Sequence, residues 1–566
     1  MAVQVISVLT AEGGSPLAKE VFIPTRDGAN LATDVYLPPS SDGHRLSAIL
    51  VRTPYDKSSR YTSLKYEAVY YNNRGYAFIA QDVRGKHRST GETVPYIYDV
   101  DDAYDTVEWI TQQSWSNGRV GVTGVSYYGF TTWAAVASGH PAIKAAVPQA
   151  TAVDMGAQHA ASQWARDIPS LSSVNDLIQI WTNNNGYLAA IDWAADSAQK
   201  VVEKAGQVIG ENIAVLKMLN ERIHDQGWFN PYGDRHPYHT TEIPVLHWQN
   251  WYDPGLAPAG MRDWRYFRTL PNRDLHYLRA NSADHSAFLL EDIGDPSKIA
   301  YLNDEARERR IAQECGEVAD FFDEFVNGVK PAVPRKRARW HLGHVGWQDS
   351  TEYPPPCTPV EFTLSSTKLE IGYKLMMDAE PSPSPDATLS WIHDPNNPVP
   401  SSFDLEALWY LLAAYPDERE LAERDDVLTF RTEPLVKNLD FCGQPTLQLH
   451  LGFHGPSTHL MVKLQDVYPD GTTRPISFGR RVLDMRTGPQ ICLALDDNAY
   501  RVQVGHRLQL QIQSSDFPIF LVHPGTDENP WIASRKEKRV HVGGALGATL
   551  RLPMITSSTD RNSQSG

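Results

Sequence analysis

A glycine-flanked serine within residues 121–129 constrains the fold of this chain more than any other stretch. The sequence there is GVTGVSYYG, with Ser126 between Gly124 and Gly129. Apolar residues typical of a buried strand precede it, and the small residues of 132–139 are typical of a helix. A turn of this kind between a strand and a helix holds the serine in a strained backbone conformation and exposes its Oγ. Glycines are needed on both sides, because a Cβ atom there would clash in so tight a turn.

The local pattern alone leaves two interpretations of Ser126. The spacing is Gly-x-Ser-x-x-Gly, whereas the commoner nucleophile motif is Gly-x-Ser-x-Gly. A serine between glycines can also be an ordinary turn, and a motif remains a hypothesis until its structural context is known. If Ser126 is a nucleophile, the rest of the chain must supply a base, an acid and an oxyanion site.

The composition indicates a large, acidic, globular protein. The chain has 566 residues, of which 41% are hydrophobic and 21% charged, and its length predicts about three domains. The formal net charge of −16 argues against a nucleic-acid or anionic-membrane partner. We expect the substrate to be a small molecule with an acyl group. A homodimer is the oligomer that we expect.

Cysteine spacing and apolar runs favour a cytoplasmic location. The four cysteines, Cys315, Cys357, Cys442 and Cys492, form no CxxC pair, so neither a disulfide framework nor a zinc cluster is indicated. Residues 3–9 are apolar without a preceding basic residue, which favours a first strand over a signal peptide. No apolar stretch of about 18 residues predicts a transmembrane helix.

Alternating strand and helix patterns predict an α/β fold around a parallel sheet. Nearly continuous apolar runs, typical of strands buried on both faces, occur before and after a helix-rich stretch at 151–240. That stretch interrupts the pattern after the serine, where a cap over an active site could be inserted. Its tryptophans Trp164 and Trp181 either line a pocket or form the core of the cap, and with Trp251 they are the candidate substrate-pocket residues.

From about residue 335 the apolar period changes to two. The runs 446–451 and 507–513 alternate apolar and polar residues, as strands with one buried face do. Many short strands with little helix predict a β-sandwich of jelly-roll type.

Three polar residues, Ser126, Asp253 and His285, each follow a predicted strand. Their order along the chain is the triad order of an α/β-hydrolase. A serine hydroxyl is a weak nucleophile until a histidine accepts its proton, and a carboxylate must orient and stabilise that imidazole. Alone, His285 could be a surface histidine and Asp253 a helix N-cap. Together they predict a Ser126–His285–Asp253 catalytic triad.

These predictions divide the chain into five segments. They are an α/β-hydrolase core at 1–150 and 241–334, an inserted helical cap at 151–240, a jelly roll at 335–556 and a disordered tail at 557–566.

As a whole the sequence resembles the X-Pro dipeptidyl-peptidase and cocaine esterase hydrolases, a family that includes α-amino-acid ester hydrolases. The resemblance covers about residues 19–555 and rests on RDG at 26–28, LATDVY at 31–36, TPYDK at 53–57, DVRG at 82–85, YDTVEW at 104–109, WSNGRVG at 115–121, GVSYYG at 124–129, WYD at 251–253, DVYPDG at 466–471 and SSDFP at 514–518. It implies an α/β-hydrolase domain, a helical cap and a C-terminal jelly roll.

The resemblance also implies an oxyanion hole made by the Tyr55 phenol and the backbone N–H of Tyr127. Acyl transfer needs donors aimed at the developing oxyanion, and the residue after the nucleophile supplies one in this fold. Without the resemblance, Tyr55 would be interpreted as a packing tyrosine. The chain departs from the family at His87, which stands where Asp-x-Arg-Gly-x-Gly would place its last glycine.

The sequence therefore predicts a serine hydrolase that cleaves an ester or amide of a small molecule through an acyl-enzyme. Ester cleavage is favoured over X-Pro dipeptidyl-peptidase action, because no carboxylate cluster for a free amine is identifiable. No cofactor or metal is implied, since HExxH, P-loop and dinucleotide motifs are absent. The alternatives are a non-hydrolytic enzyme of specialised metabolism, such as a cyclase, and a catalytically silent binding protein.

Overall fold

The structure describes most of the chain outside the predicted cap. The computed structural model describes residues 18–39, 43–93, 96–154, 200, 204, 207, 231–253, 255–300, 303–377, 388–395, 397–401, 417–455, 457–484, 486–517, 520, 522–523, 538–543 and 548–556. The strand predicted at 3–9, most of the predicted cap with Trp164 and Trp181, and the predicted tail at 557–566 lie outside these residues.

A ten-stranded sheet organises the N-terminal part of the protein. Its spatial order is β1-β2-β4-β3-β5-β6-β7-β8-β9-β10. Strands β3 to β9 pair with one another in parallel. Strands β1, β2 and β10 extend the sheet at its two edges by antiparallel pairing. The strands are β1 Lys19–Pro24, β2 Asn30–Tyr36, β3 Leu46–Thr53, β4 Ala77–Asp82, β5 Ser116–Val125, β6 Ile143–Gln149, β7 Val245–Tyr252, β8 His276–Asp284, β9 Ala338–Leu342 and β10 Gly346–Ser350.

Helices cover both faces of this sheet, as the alternating pattern predicts. Apolar side chains of α1 and α6 pack in one cluster, and those of α2, α3 and α5 pack in another. The strands between them are almost fully buried, which explains their continuous apolar runs. The helices are α1 Leu64–Asn73, α2 Asp99–Thr111, α3 Tyr127–Ala137, α4 Pro237–Thr240, α5 Ala257–Phe267 and α6 Asp304–Phe325.

The first sheet extends beyond the boundary expected at residue 335. Strand β9 pairs in parallel with β8, with Ala338 opposite Leu278, and β10 pairs with β9. Residues 338–350 therefore belong to the first sheet and not to the C-terminal strands. Five-residue strands are too short for their periodicity to show which sheet they join.

The C-terminal part is a β-rich domain with a large apolar core. Strand β16 buries Leu447, Leu449 and Leu451 on one face, as its alternation predicts. The strands are β11 Cys357–Lys368, β12 Tyr373–Met377, β13 Thr388–His393, β14 Leu428–Arg431, β15 Leu439–Gly443, β16 Thr446–Phe453, β17 Ser457–Val467, β18 Thr473–Asp484, β19 Gln490–Ala494, β20 Asn498–Val502, β21 Arg507–Gln513, β22 Lys538–Gly543 and β23 Thr549–Ile555.

Strand β21 differs from its prediction, because its polar face is buried as well. Gln509 and Gln511 are both fully buried. Hydrogen bonding compensates part of this burial, since the Gln509 amide donates to Gln465 Oε1 at 2.6 Å. Alternation therefore identified the strand but not the polar layer that covers its second face. The predicted fold class, an α/β-hydrolase domain followed by a β domain of jelly-roll type, is confirmed.

Candidate active site

Ser126 occupies a strained turn between β5 and α3. Its backbone has φ 60° and ψ −125°, a region that residues with a Cβ atom rarely adopt. Helix α3 begins at Tyr127, directly after the serine and five residues before the predicted start. The chain thus passes from strand to helix at one residue, as a nucleophile elbow requires.

The two flanking glycines are explained by close contacts. A Cβ atom at Gly124 would lie 2.3 Å from the backbone oxygen of Tyr128, and one at Gly129 would lie 2.7 Å from Cγ2 of Thr151. Both distances are shorter than a carbon atom tolerates. The second glycine stands three residues after the serine because that position of α3 faces Thr151.

His285 and Asp253 are joined by a short hydrogen bond. His285 Nδ1 lies 2.6 Å from Asp253 Oδ2, and the carboxylate is fully buried whereas the imidazole is 17% exposed. Because an ionised carboxylate only accepts, Nδ1–H is the donor and Nε2 is the ring nitrogen that can take a proton. Asp253 Oδ1 also accepts from the Leu256 N–H at 3.3 Å, but Leu256 and not Asp253 is the N-cap of α5, so the alternative N-cap role of Asp253 is wrong.

The sheet brings the three predicted triad residues to one edge. Ser126, Asp253 and His285 are the first residues after β5, β7 and β8, which run in the same direction. The loop after β8 is held by Asp284, whose Oδ1 accepts the N–H groups of Ser286 and Phe288 at 2.9 Å each. Their common location follows from parallel pairing, since the carboxyl ends of such strands meet at one edge.

A cavity of about 310 Å³ lies at this edge. Ser126, His285 and Tyr55 all contribute to its wall, so the structure brings these three predicted residues together. The described lining consists of Tyr55, Arg60, Tyr61, Ser63, Val125, Ser126, Tyr128, His285, Ser286, Ala300, Arg307 and Arg310.

Trp251, predicted as a pocket residue, lies elsewhere. Its side chain is 5% exposed and stacks on Tyr353, with ring centroids 5.6 Å apart. Its indole N–H donates to the backbone oxygen of His341 at 3.2 Å. Strand β7 is buried on both faces, and Trp251 points to the face that packs against the C-terminal strands. It is therefore a core residue at the junction of the two sheets.

The two predicted oxyanion residues are held by different means. The Tyr127 phenol is buried, donates to Asp99 Oδ2 at 3.1 Å and accepts from the Tyr96 N–H at 2.8 Å. Burial raises the pKa of this phenol well above its usual value, so it stays neutral. Because these two hydrogen bonds occupy the phenol, the backbone N–H of Tyr127 is the group suited to the predicted oxyanion role.

Tyr55 follows β3 and is half-buried at the cavity wall. Its N–H donates to Thr53 Oγ1 at 3.1 Å, and its ring meets Tyr61 and Tyr128 edge to face, with centroids 5.7 and 5.9 Å away. His87 Nε2–H donates to the Pro54 oxygen at 2.9 Å. The turn that carries the phenol is thus held by its own hydrogen bond to Thr53 and by the hydrogen bond from His87.

The arginines of the cavity wall were not predicted from the sequence. Arg307 and Arg310 stand in the first turns of α6, and Arg60 follows the Tyr55 turn. Charged residues at helical spacing are usually a solvated face, so no pattern in the sequence distinguished these arginines from surface residues.

Sequence comparison places both parts of the chain in one family. The model of the X-Pro dipeptidyl-peptidase (S15 family) matches residues 27–287, and that of the X-Pro dipeptidyl-peptidase C-terminal non-catalytic domain matches residues 327–549. A cocaine esterase of Rhodococcus sp. (strain MB1 Bresler) is 29% identical over 556 residues, covering 90% of this chain and 92% of that protein.

Solved structures share the complete fold. An α-amino acid ester hydrolase superimposes with a TM-score of 0.77 at 23% identity, covering 97% of this chain and 99% of its own. An aminopeptidase from a Thaumarchaeota archaeon of marine sediment gives a TM-score of 0.77 at 21% identity, with coverages of 96% and 97%. Within the described residues, no helix has the length and apolar character needed to cross a membrane. The chain belongs to the X-Pro dipeptidyl-peptidase and cocaine esterase family of serine α/β-hydrolases.

Proposed function

We propose that this protein is an esterase that hydrolyses carboxylic esters of small molecules through an acyl-enzyme on Ser126. One observation carries the proposal: a serine with strained backbone angles shares a cavity with a histidine that is hydrogen-bonded to a buried carboxylate. Nucleophile, base and orienting group in this order are the requirements for activating a hydroxyl group.

In the first half of the proposed reaction, Ser126 Oγ attacks the ester carbonyl carbon while His285 Nε2 takes the hydroxyl proton. The carbonyl oxygen becomes an oxyanion, and the Tyr55 phenol and the Tyr127 N–H donate hydrogen bonds to it. Collapse of the tetrahedral intermediate breaks the bond to the leaving alcohol, which receives the proton from His285. Asp253 stabilises the imidazolium throughout.

In the second half, a water molecule attacks the acyl-enzyme carbonyl and gives its proton to His285. The second tetrahedral intermediate collapses with release of the carboxylic acid, and His285 returns the proton to Ser126 Oγ. The same donors serve both intermediates, because both place negative charge on the same oxygen.

Two observations support esters over aminoacyl amides. The cocaine esterase relative matches nine-tenths of this chain's length. Among the described residues that line the cavity, none is an aspartate or glutamate that could bind the free amine of a peptide. A small molecule is the proposed substrate, and the net charge of −16 disfavours a polyanionic one such as nucleic acid.

A two-part experiment tests this function. The wild type should react with a fluorophosphonate and hydrolyse 4-nitrophenyl esters faster than aminoacyl-proline 4-nitroanilides, while Ser126→Ala should do neither. Hydrolysis in ¹⁸O-labelled water should place the label in the acid product. Labelling of Ser126 with turnover that incorporates no ¹⁸O would favour a cyclase, and absence of labelling would favour a silent binding protein.

A further inference from the structure

The wall of the Ser126 cavity is positively charged. Three of its side chains are arginines, namely Arg60, Arg307 and Arg310, and no described lining residue is acidic. Arg60 is 65% exposed and pairs with Asp304, so solvent screens it. The other two project from α6 into the protein, where charge is screened far less.

Arg307 is a buried cation with unused hydrogen-bonding capacity. Its side chain is 4% exposed, and its guanidinium lies over the Tyr66 ring, 4.5 Å from the centroid. Nη1 lies 2.9 Å from Asp304 Oδ1, yet within the described structure neither Nη1 nor Nε has a partner in hydrogen-bonding geometry. Asp304 is 60% exposed and is shared with Arg60. Buried charged donors without acceptors are costly, and because Arg307 also lines the cavity, a bound anion there would lower the electrostatic part of that cost.

Arg310 lies one turn further along α6, on the same face as Arg307. Its Nη1 donates to Glu314 Oε2 at 3.1 Å, and its buried Nε has no hydrogen-bond partner in the part of the chain that the structure describes. Glu67 also lies near Arg310, and burial raises the pKa of its carboxyl to about 7, so it carries only part of a charge at neutral pH. Within the described part of the chain, the carboxylates paired with these three guanidinium groups are Asp304 and Glu314.

We propose that Arg307 and Arg310 form an anion subsite and that the preferred substrate is an ester bearing a second, free carboxylate. This inference rests on the proposed esterase function. Guanidinium groups bind carboxylates through two parallel hydrogen bonds, which fixes the orientation of the substrate as well as its charge. The same field disfavours substrates with an α-ammonium group. The subsite shares its cavity with Ser126 and His285, so a bound carboxylate lies within one small molecule's length of the nucleophile.

The test compares esters that differ only in charge. Matched probes are 4-nitrophenyl butyrate, which is neutral, 4-nitrophenyl hemisuccinate, with the carboxylate on the acyl side, and 4-nitrophenyl 4-aminobutyrate, which is cationic. A fourth, 4-carboxyphenyl butyrate, carries the carboxylate on the leaving group, and its neutral counterpart is 4-carbamoylphenyl butyrate. Wild-type kcat/KM should be about tenfold or more higher for one of the two anionic esters than for its neutral counterpart, as expected for a charge-assisted hydrogen bond.

Two variants and one control locate the effect. Arg307→Gln and Arg310→Gln should each lower the anionic-to-neutral ratio of kcat/KM by about tenfold, mainly through KM. Arg309→Gln is the matched control, because Arg309 lies between them on α6, is 46% exposed, pairs with Glu305 at 2.9 Å and does not line the cavity. It should leave the ratio within about twofold, as exposed ion pairs contribute little. Fluorophosphonate labelling shows that each variant keeps a formed site, and the less buried Arg310 serves if Arg307→Gln does not fold.

A binding measurement separates this inference from the esterase proposal. In Ser126→Ala protein, isothermal titration should detect monomethyl succinate but not dimethyl succinate, and adding Arg310→Gln should abolish the heat. A wild type that hydrolyses neutral or cationic esters at least as well as anionic ones would overturn the anion subsite and leave the esterase standing. If the protein neither hydrolyses any of these esters nor reacts with the fluorophosphonate, the esterase proposal is overturned. The titration then tests the anion subsite by itself, and a failure to bind monomethyl succinate would overturn the subsite.

Discussion

His87 Nε2 lies 2.9 Å from the backbone oxygen of Pro54, and this contact ties the loop after β4 to the turn that presents Tyr55. His87 has φ 51°, in the left-handed region that glycine adopts most readily. A carbonyl oxygen can only accept, so the imidazole N–H donates. The residue that departs from the family pattern thus supports the turn beside the proposed oxyanion donor.

We predict that His87→Ala lowers kcat by about threefold to tenfold with little change in KM, because a neutral hydrogen bond contributes about 1 kcal/mol. His87→Asn should retain most activity, since asparagine tolerates a positive φ and can donate from its amide. In a Tyr55→Phe background the His87→Ala loss should vanish. Equal losses in both backgrounds would show that His87 acts independently of Tyr55.

Tyr55→Phe should lower kcat by about 10²–10³-fold, the usual loss for one oxyanion-hole donor. Only an oxygen atom is removed, so the melting temperature should not change. Tyr61→Phe is the matched control, because Tyr61 lines the same cavity and contacts Tyr55 edge to face. Steady-state kinetics with a neutral ester checks both variants. If Tyr55→Phe stays within about threefold of the wild type, the phenol is not an oxyanion donor.

His276 should make the protein less stable in acid. Burial and the charges of Arg268 and Arg337 lower its pKa to about 3, while in the unfolded chain it is about 6.5. Below pH 6.5 the unfolded chain binds a proton that the folded protein cannot take up until about pH 3. Stability is therefore lost as the pH falls through this window, by about 1.4 kcal/mol per pH unit for one proton.

His276→Gln tests this directly. Urea titrations between pH 6.5 and 4 should give a free energy of unfolding whose pH slope is smaller than that of the wild type by about one proton. The size of the slope, and not the absolute stability, is the readout, because the variant also loses the 2.9 Å contact with His247. An unchanged slope would mean that His276 titrates alike in the folded and unfolded states.

The C-terminal β domain should be needed for a stable hydrolase domain. Trp251, Leu290 and Leu342 pack in the same apolar cluster as the C-terminal strands, and Arg265 pairs with Asp497 at 2.6 Å across the junction. A fragment that ends after β10, at residue 352, would expose this apolar surface to water, so we expect an insoluble product. Centrifugation of the lysate checks this. A soluble fragment with full esterase activity would contradict the prediction.

The proposed triad was predictable because each of its residues follows a strand directly. Apolar runs reveal such strands, and parallel pairing brings their ends to one edge. The glycines around Ser126 carried further information, although the contact with Thr151 that requires Gly129 depends on the tertiary structure.

The arginine subsite could not be predicted in this way. Arg307, Arg309 and Arg310 have the same side chain and stand within one turn of α6. Only the packing of this helix against the sheet determines that two of them face the cavity and one faces water. For the same reason Trp251, which belongs to a strand buried on both faces, could not be assigned to pocket or core from its sequence.

The proposed function depends above all on transfer of the acyl group to Ser126. The enzyme is mixed with 4-nitrophenyl butyrate and quenched rapidly in acid, and mass spectrometry of its peptides then detects any acyl-enzyme. We expect one added butyryl group on the peptide that contains Ser126, and none on that peptide from Ser126→Ala. Hydrolysis by the wild type without this adduct at any quench time, or with the butyryl group on another residue, would contradict it.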